Sequence, residues 1–365
     1  MKKIEEMSLE EKIGQLFIVG LLNGKETEKI KVMIEKYKIG GVVIYKRNYN
    51  SYPEMVKLVN EIKRINRKND IPIFISIDQE GGRVNRMPDE VSKIKSATEM
   101  ANTKDMEMVK QSGALIGKML KQTGISMNYA PTLDIRRFGE QQAIGDRSYG
   151  KNKEEVSKYG IEVMKQIQEN GVVSVIKHFP GHGSTAKDSH FTIPTLTKKI
   201  GHLEKDDMEP FENAIKQGAD AIMVGHLMVK GGDFVYPASL SKKIISKYLI
   251  EKYNYKGLII TDDLKMMAIR AYYNINRAVV RAIKAGNDMV MLGNPYKEIE
   301  DAIKYMTKKA KAGKLSEERI DESVQKILNM KEKYKVNDNQ VKGFNIEEMN
   351  REIDELNENI KKLTC

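Results

Sequence analysis

Eight short apolar runs, each ending at glycine or at polar residues, constrain the fold of this chain most. The segments between them mostly carry apolar residues at three- and four-residue steps, as amphipathic helices do. The runs are QLFIVG (15–20), GGVVIYK (40–46), PIFISID (72–78), GISMNYAP (124–131), VVSVIKH (172–178), DAIMVGH (220–226), GLIITDD (257–263) and DMVMLGN (288–294). Continuous apolar strands that alternate with helices indicate a parallel sheet covered on both faces.

Eight such units within roughly 300 residues predict an α/β fold of the (β/α)8 TIM-barrel type. The alternative is an open doubly wound sheet, which needs a glycine-rich phosphate loop after its first strand. The segment VGLLNGKE (19–26) matches that loop poorly. We therefore expect one catalytic barrel domain over residues 1–335 and a helical extension over 336–365.

Ionisable residues stand at the ends of several predicted strands. They are Asp78, Lys177, His178, His226 and Asp262. In a barrel the carboxyl ends of all strands meet at one mouth, where active sites lie. Strands must end in something polar, which explains any one of these residues but explains five matching positions less well.

The charge and the single cysteine exclude several classes of protein. The net charge is +11, but lysines alternate with glutamates along helices, as in EKIKVMIEKYK, so we expect no nucleic-acid partner. Cys365 is the only cysteine, which excludes an internal disulfide. The apolar run LFIVGLL near the start is too short to span a membrane. We expect a cytoplasmic protein with no membrane partner.

An apolar stripe marks the last twenty residues. It consists of Ile346, Met349, Ile353, Leu356, Ile360 and Leu363. A stripe this narrow can pair two subunits into a homodimer, as in a coiled coil. It can also dock on its own barrel, which we favour because so few heptads are marginal alone.

The segment LIITDDLKMMAI ends a buried strand on two aspartates. Asp263 is most simply an N-cap or first-turn acid of the following helix. Asp262 ends the strand, so its carboxylate should face the mouth. There it can act as a nucleophile or stabilise an oxocarbenium-like centre.

Two further loops carry arginines. In SIDQEGGRVNRM, Asp78 is followed by Arg83 and Arg86, which together can clamp hydroxyls or form an ion pair that fixes the loop. In AIGDRSYG, Arg147 can form a second clamp or a loop-to-helix ion pair. The residues alone leave both pairs of alternatives open.

Three of the five histidines fall within KHFPGHGSTAKDSH (177–190). Its glycines suit a mobile lid over the mouth. Asp188 and His190 are two residues apart, so in an extended segment their side chains lie on one side. The carboxylate can then orient the imidazole of His190 for general acid/base catalysis.

Two other interpretations of this cluster remain. A metal site would use His178, His182, Asp188 and His190. None of the usual metal-ligand spacings on a helix is present, so we expect no metal and no cofactor. The histidines can also be purely structural loop residues.

Together these motifs resemble the glycoside hydrolase family 3 β-N-acetylglucosaminidases of the NagZ type. The resemblance covers residues 7 to 335 and rests on IDQEGGRVNRM, IGDRSYG, KHFPGHGSTAKDSH and GLIITDDLKMMAI. It implies that Asp262 is the nucleophile, and that His190 is the general acid/base with Asp188 as its partner. The residues implied to hold the sugar are Asp78, Arg86, Arg147, Lys177 and His178. No catalytic role carries over to His182, and His226 is expected near the site.

The implied activity is exo-acting and retaining. Such an enzyme is a β-N-acetylhexosaminidase that removes terminal N-acetylglucosamine in two displacements from muropeptide fragments of the cell wall or from chitooligosaccharides. Two alternatives remain: a phosphorylase that uses phosphate as the acceptor, and a non-catalytic sugar-binding barrel. Ser184 and Tyr149 stand where the family often has Asp and Phe, which puts loop packing rather than chemistry in doubt.

Overall fold

The computed structural model describes residues 2–22, 27–137, 143–185, 193–293 and 295–364. The strands are β1 (Phe17–Gly20), β2 (Gly41–Val43), β3 (Phe74–Ile77), β4 (Met127–Asn128), β5 (Val173–Phe179), β6 (Thr195–Leu196), β7 (Ala221–Val224), β8 (Met228–Val229), β9 (Leu258–Asp263) and β10 (Met289–Leu292). Eight of them close a barrel in the order β1-β10-β9-β7-β5-β4-β3-β2, while β6 and β8 form a separate pair.

Every neighbouring pair in the barrel is parallel, and β1 pairs with both β2 and β10 to close it. Each of the eight apolar runs supplies one barrel strand, so the predicted (β/α)8 fold is confirmed. The strands read as continuous apolar runs because both of their faces are buried, one inside the barrel and one under helices.

Helices fill the connections. They are α1 (Leu9–Gln15), α2 (Thr27–Glu35), α3 (Tyr52–Asn66), α4 (Ala97–Asn102), α5 (Met106–Thr123), α6 (Lys153–Glu169), α7 (Ile200–Glu204), α8 (Glu209–Lys216), α9 (Lys242–Ile244), α10 (Met267–Arg270), α11 (Ile275–Ala285), α12 (Tyr296–Lys311), α13 (Glu317–Lys333) and α14 (Ile346–Thr364). A π-helical stretch, Ile245–Lys252, continues α9. No helix in these described ranges combines the length and apolar character needed to cross a bilayer.

Local sequence signals set many helix ends. Ser51 caps α3 by accepting a hydrogen bond from the Glu54 amide, and Ser316 caps α13 in the same way through Arg319. Gly124 ends α5 with a φ of 81°, a conformation that favours glycine. These signals place the helices so that their apolar faces cover the barrel.

A buried cation lies at the end of the barrel opposite the mouth. Lys331 of α13 is 1% exposed, and its Nζ atom lies 2.7 Å from Gln15 Oε1 and 5.0 Å from the centroid of the Phe74 ring. Burial lowers the pKa of Lys331 to about 7. The carboxylate of Asp338 attracts this charge but bonds Asn66 rather than Lys331.

The C-terminal helix α14 docks on its own barrel, as favoured above, and packs against α4 and α5. Four side chains of the predicted stripe are buried there: Met349, Ile353, Leu356 and Ile360. Polar contacts fix the docking, since Lys118 pairs with Glu352 at 2.6 Å and the Asn350 amide donates to the Glu90 carbonyl. The stripe is therefore occupied within one chain, and only its last member, Leu363, is half exposed.

Candidate active site

A cavity of about 660 Å³ opens at the carboxyl ends of the barrel strands. It brings together the expected nucleophile and all five residues that the resemblance implies for sugar binding. These are Asp262, Asp78, Arg86, Arg147, Lys177 and His178. The other two expected catalytic residues, Asp188 and His190, lie outside the described residues. The volume falls in the range typical of small-molecule sites.

Asp262 lies in β9 with its carboxylate at the cavity wall. Its Oδ1 atom accepts a hydrogen bond of 2.8 Å from the Asp263 amide. No further bond to this carboxylate occurs in the described ranges, so Oδ2 is available to a ligand. Burial opposes ionisation, but the nearby imidazoles of His226 and His178 and the Asp263 amide outweigh it and lower the pKa of Asp262. The group is therefore a carboxylate at neutral pH.

Asp263 differs from the sequence expectation. It is the last residue of β9, and α10 begins only at Met267, so it is not the N-cap of that helix. Its Oδ1 atom instead accepts from the Gly293 and Lys265 amides, each at 2.9 Å. Burial raises the pKa of this carboxyl group. Asp263 thus ties the end of β9 to the residue that follows β10.

His226 lies just beyond β7 and is fully buried. Its Nε2 atom lies 3.0 Å from the backbone oxygen of Asp263, and its Nδ1 atom lies 2.7 Å from Ser239 Oγ. A carbonyl oxygen can only accept, so Nε2 carries the proton of that bond. His226 is therefore near the site, as expected, and contacts the backbone next to Asp262.

Lys177 and Glu80 form the centre of a buried ion-pair network. The Nζ atom of Lys177 lies 2.7 Å from Asp78 Oδ1 and 2.6 Å from Glu80 Oε1. Arg147 donates to both oxygens of Glu80, at 2.8 and 2.7 Å. Burial opposes the charge on Glu80, but Arg147 and Lys177 hold the pKa of this carboxyl far below its usual range. Glu80 thus holds two of the expected sugar-binding side chains, Lys177 and Arg147, in place.

The partner of Asp78 corrects the sequence interpretation. One alternative from the sequence is an ion pair between Asp78 and the arginines that follow it. The structure pairs Asp78 with Lys177, while Arg83 pairs with Asp146 at 2.8 Å. The guanidinium of Arg86 lines the cavity and makes no hydrogen bond or ion pair to the described part of the chain. Arg86 is thus available to a ligand.

His178 is oriented by Asp134, which lies beyond β4 and is fully buried. The Nδ1 atom of His178 lies 2.7 Å from Asp134 Oδ2, and the His182 amide donates to the other oxygen at 2.6 Å. Burial opposes the charge on Asp134, but His178 and His182 lower its pKa. Because an ionised Asp134 can only accept, Nδ1 of His178 is the donor in this bond. The Nε2 atom of His178 then remains available to a ligand.

His182 lines the cavity and is 4% exposed. Its contact with Asp134 comes from the backbone, and within the described ranges its Nδ1 atom has no hydrogen-bond partner. Burial lowers the pKa of this imidazole, so it is neutral at pH 7. The side chain therefore packs at the site, and its Nδ1 atom makes no polar contact with the part of the chain that the structure describes.

Sequence reasoning missed Glu80 and Asp134. Glu80 lies within the IDQEGG motif, two residues after Asp78, while Asp134 lies in PTLDIRR, three residues beyond the fourth apolar run, where no strand-end signal marks it. Among the residues with assigned positions, no group of three His, Cys, Asp or Glu side chains could hold a metal ion. Two members of the metal set considered above, Asp188 and His190, lie outside those residues.

The sequence is similar to those of two β-hexosaminidases. The chain is 30% identical over 335 residues to "Beta-hexosaminidase LpqI" of Mycobacterium tuberculosis, covering 89% of this chain and 83% of that one. It is 29% identical over 330 residues to "Beta-hexosaminidase A" of Pseudoalteromonas piscicida, covering 84% of this chain but only 55% of that protein. The chain therefore spans about half the length of this second relative.

A solved structure of a similar protein has the same fold. The glycoside hydrolase family 3 β-N-acetylglucosaminidase of Paenibacillus sp. str. FPU-7 superposes with a TM-score of 0.90 at 31% identity, covering 96% of this chain and 68% of that chain. The sequence model described as "Glycosyl hydrolase family 3 N terminal domain" matches residues 8–330. The match covers most of the barrel and its helices, and the chain belongs to glycosyl hydrolase family 3.

Proposed function

We propose that the chain is an exo-acting, retaining β-N-acetylglucosaminidase, which is a β-hexosaminidase. The observation that carries this proposal is the placement of Asp262. One oxygen of its carboxylate is held by the Asp263 amide at 2.8 Å, and the residue lines a cavity whose other walls carry hydroxyl-binding groups. Burial opposes ionisation, but nearby imidazoles lower the pKa of this carboxyl group. A fixed, ionised carboxylate at a barrel mouth suits attack on a sugar C1 atom.

The reaction would take two displacements. First, His190 protonates the glycosidic oxygen while Asp262 attacks C1, which breaks the C1–O bond and forms a glycosyl ester on Asp262. Then His190 removes a proton from water while the water oxygen attacks C1, which breaks the bond from C1 to Asp262, returns Asp262 as a carboxylate and releases the sugar with its configuration retained. Asp188 would orient His190 and stabilise its imidazolium form. The roles of His190 and Asp188 rest on the family resemblance.

The sugar would be held by polar groups that the protein leaves unoccupied. Arg86 and the Nε2 atom of His178 have no partner among the described residues, and Asp78 contacts Lys177 through Oδ1 only. Asp78 and His178 are themselves held by Lys177 and Asp134. A sugar that enters would thus meet a prearranged set of donors and acceptors, which lowers the entropic cost of binding.

The biological setting forms part of the same proposal. We place the substrate among fragments of the cell wall that end in β-linked N-acetylglucosamine, or among chitooligosaccharides, and we place the chain in the cytoplasm. Release of free N-acetylglucosamine from purified muropeptide, followed by mass spectrometry, tests the substrate. Cell fractionation with an antibody against the chain tests its location.

A phosphorylase is the second candidate, and the charge of the cavity favours it. Arg47, Lys265 and Arg270 line the wall in addition to the sugar-binding cations. They would attract an incoming phosphate, and an imidazole acid/base repels phosphate less than a carboxylate would. Turnover measured with and without inorganic phosphate separates the candidates, since only a phosphorylase forms N-acetylglucosamine 1-phosphate.

The covalent step gives the sharpest test. Incubation with a 5-fluoro N-acetylglucosaminyl fluoride should leave one sugar on the peptide that contains Asp262, and Asp262→Asn should abolish this labelling. We expect Asp262→Ala and His190→Ala each to remove most activity on an aryl β-N-acetylglucosaminide. Near wild-type turnover in both variants would refute the proposal. Binding of N-acetylglucosamine without turnover would support a non-catalytic barrel instead.

The domain organisation is proposed as well. Residues 1–335 would form the catalytic barrel domain and residues 336–365 a helical extension that can contribute to a homodimer. A chain that ends near Lys342 tests both ideas. Light scattering that shows the same number of chains per particle as for the full chain would remove the idea of a dimer through the extension, and full activity would show that the extension is dispensable for catalysis.

A further inference from the structure

Exposed apolar side chains concentrate at one place. Six large apolar side chains are exposed in the described part of the chain, and four of them lie in the two loops that follow β8 and β9, the second of which includes the short helix α10. These four are Phe234 (69% exposed), Val235 (65%), Met267 (49%) and Tyr272 (64%). We refer to them as the apolar rim. Contiguous apolar groups on a monomer surface often mark a binding site.

The apolar rim begins at the cavity. Phe234 and Val235 follow β8, and Met267 and Tyr272 follow β9. Met267 and Arg270 line the cavity wall itself. The Tyr272 amide donates to the Ile269 carbonyl at 3.0 Å, so Tyr272 lies within one helical turn of that wall.

The two loops contact each other directly. The Tyr273 hydroxyl donates to the Val235 carbonyl at 2.9 Å, and the rings of Tyr273 and Tyr236 lie 6.0 Å apart. The guanidinium of Arg281 stacks on the Tyr236 ring at 3.2 Å. The residues next to the exposed ones, Tyr236 and Tyr273, therefore hold the two loops together.

Asp233 holds the first loop in shape. Its buried carboxylate accepts from the Val235 amide at 2.9 Å, from the Tyr236 amide at 3.2 Å and from Ser241 Oγ at 2.6 Å. An isolated antiparallel bridge joins Val229 and Asp233. Phe234 is thus displayed outward by a fixed loop, which reduces the ordering cost of a ligand that binds it.

We propose that the apolar rim binds the sugar rings on the leaving side of a β-linked oligosaccharide. This inference rests on the proposed function, because the rings must extend outward from a terminal sugar bound at Asp262. A β-linked pyranose has an apolar face of C–H groups and a polar edge of hydroxyls. The aromatic rings of Phe234 and Tyr272 can pack against the C–H face of the sugar, and the Tyr272 hydroxyl can form a hydrogen bond with its hydroxyl edge.

The test compares two substrates that share a terminal N-acetylglucosamine. Methyl β-N-acetylglucosaminide has no ring on its leaving side, whereas chitotriose has two. In the double variant Phe234→Ser/Tyr272→Ser, we expect kcat/KM on chitotriose to fall about ten-fold and kcat/KM on the methyl glycoside to stay within about two-fold. The matched control is Leu363→Ser, an exposed apolar residue on α14, which should change neither value.

The outcomes separate the two proposals. A wild-type chain that hydrolyses neither substrate refutes the proposed function. A wild-type chain that hydrolyses both, with a double variant that keeps full kcat/KM on chitotriose, refutes the rim assignment alone. A wild-type dimer by light scattering that the double variant converts to a monomer, without loss on chitotriose, shows that a second copy occupies the rim and also overturns the assignment.

Discussion

The Nε2 atom of His226 donates to the backbone oxygen of Asp263, and the two atoms are 3.0 Å apart. The amide of Asp263 in turn holds Oδ1 of Asp262 at 2.8 Å. One buried imidazole, fixed at its other nitrogen by Ser239, is therefore bonded to the residue that directly follows the expected nucleophile. We infer that His226 positions Asp262 through this backbone contact; its imidazole also lowers the pKa of the Asp262 carboxyl group against the opposing effect of burial.

Replacement of His226 should lower kcat more than it raises KM. We expect His226→Ala to reduce kcat about 10- to 100-fold on an aryl β-N-acetylglucosaminide, because small misplacement of a nucleophile is costly. His226→Gln can restore a donor near the Nε2 position and should recover part of the loss. His202, an exposed histidine on α7, supplies the control variant His202→Ala. An unchanged kcat in His226→Ala would contradict the positioning role.

Loss of the charge on Glu80 should destabilise the whole barrel. Glu80→Gln leaves Lys177 and Arg147 buried with one carboxylate fewer, and we expect the free energy of unfolding in urea to fall by about 3–5 kcal/mol. KM should rise as well, since Lys177 and Arg147 line the cavity. The control is Glu61→Gln, which removes an exposed pair with Arg64 and should cost less than about 1 kcal/mol. Equal losses in the two variants would argue against the network.

The pH dependence of kcat/KM should show the low pKa of Asp262. Nearby imidazoles lower this pKa from 3.8 against the opposing effect of burial, so the nucleophile stays ionised as the pH falls toward that value. We expect the acid limb of kcat/KM below pH 3.8, measured only where circular dichroism shows a folded chain. An acid limb at about pH 5 or above, in a folded protein, would mean that Asp262 does not remain ionised as described.

The histidines at positions 178 and 182 should respond differently to alanine. The Nδ1 atom of His178 bonds Asp134 and its ring faces the cavity, so His178→Ala should raise KM at least about ten-fold. The polar contact of His182 comes from its backbone amide, which alanine retains. We therefore expect His182→Ala to keep most activity, with a loss of stability from lost packing. A larger loss of activity in His182→Ala than in His178→Ala would overturn this division.

Lys331 should make the stability of the fold depend on pH. Its pKa is about 7 in the folded chain against an ordinary value of 10.5, so the unfolded chain binds more protons between these values. The destabilisation is complete below pH 7 and disappears as the pH rises toward 10.5. Urea unfolding should show wild-type stability rising by a few kcal/mol between about pH 7 and about pH 9.5 relative to Lys331→Met. Parallel stability curves for the two chains would contradict this.

Much of the fold followed from the order of residues alone. Eight continuous apolar runs separated by amphipathic segments are compatible with few architectures, and the barrel was predicted strand by strand. A barrel makes ionisable residues at strand ends meet, so the sequence alone predicts that Asp78, Lys177, His178 and Asp262 share one cavity, as they do. Periodicity is a local property, and the convergence of strand ends is a property of the closed sheet.

The pairing of charges was decided by the tertiary structure. Asp78 had two arginines within eight residues, yet its partner is Lys177, 99 residues away, because β3, β4 and β5 lie side by side in the barrel. Asp134 meets His178 across neighbouring strands for the same reason. The stripe on α14 could pair with a second subunit or dock on its own barrel, which the short length of the stripe favoured, and the surface formed by α4 and α5 provides the place where it docks. Which charged side chains pair depends on which of them the closed barrel brings within hydrogen-bond distance. A local sequence pattern cannot give that distance, because the paired residues are far apart in the chain.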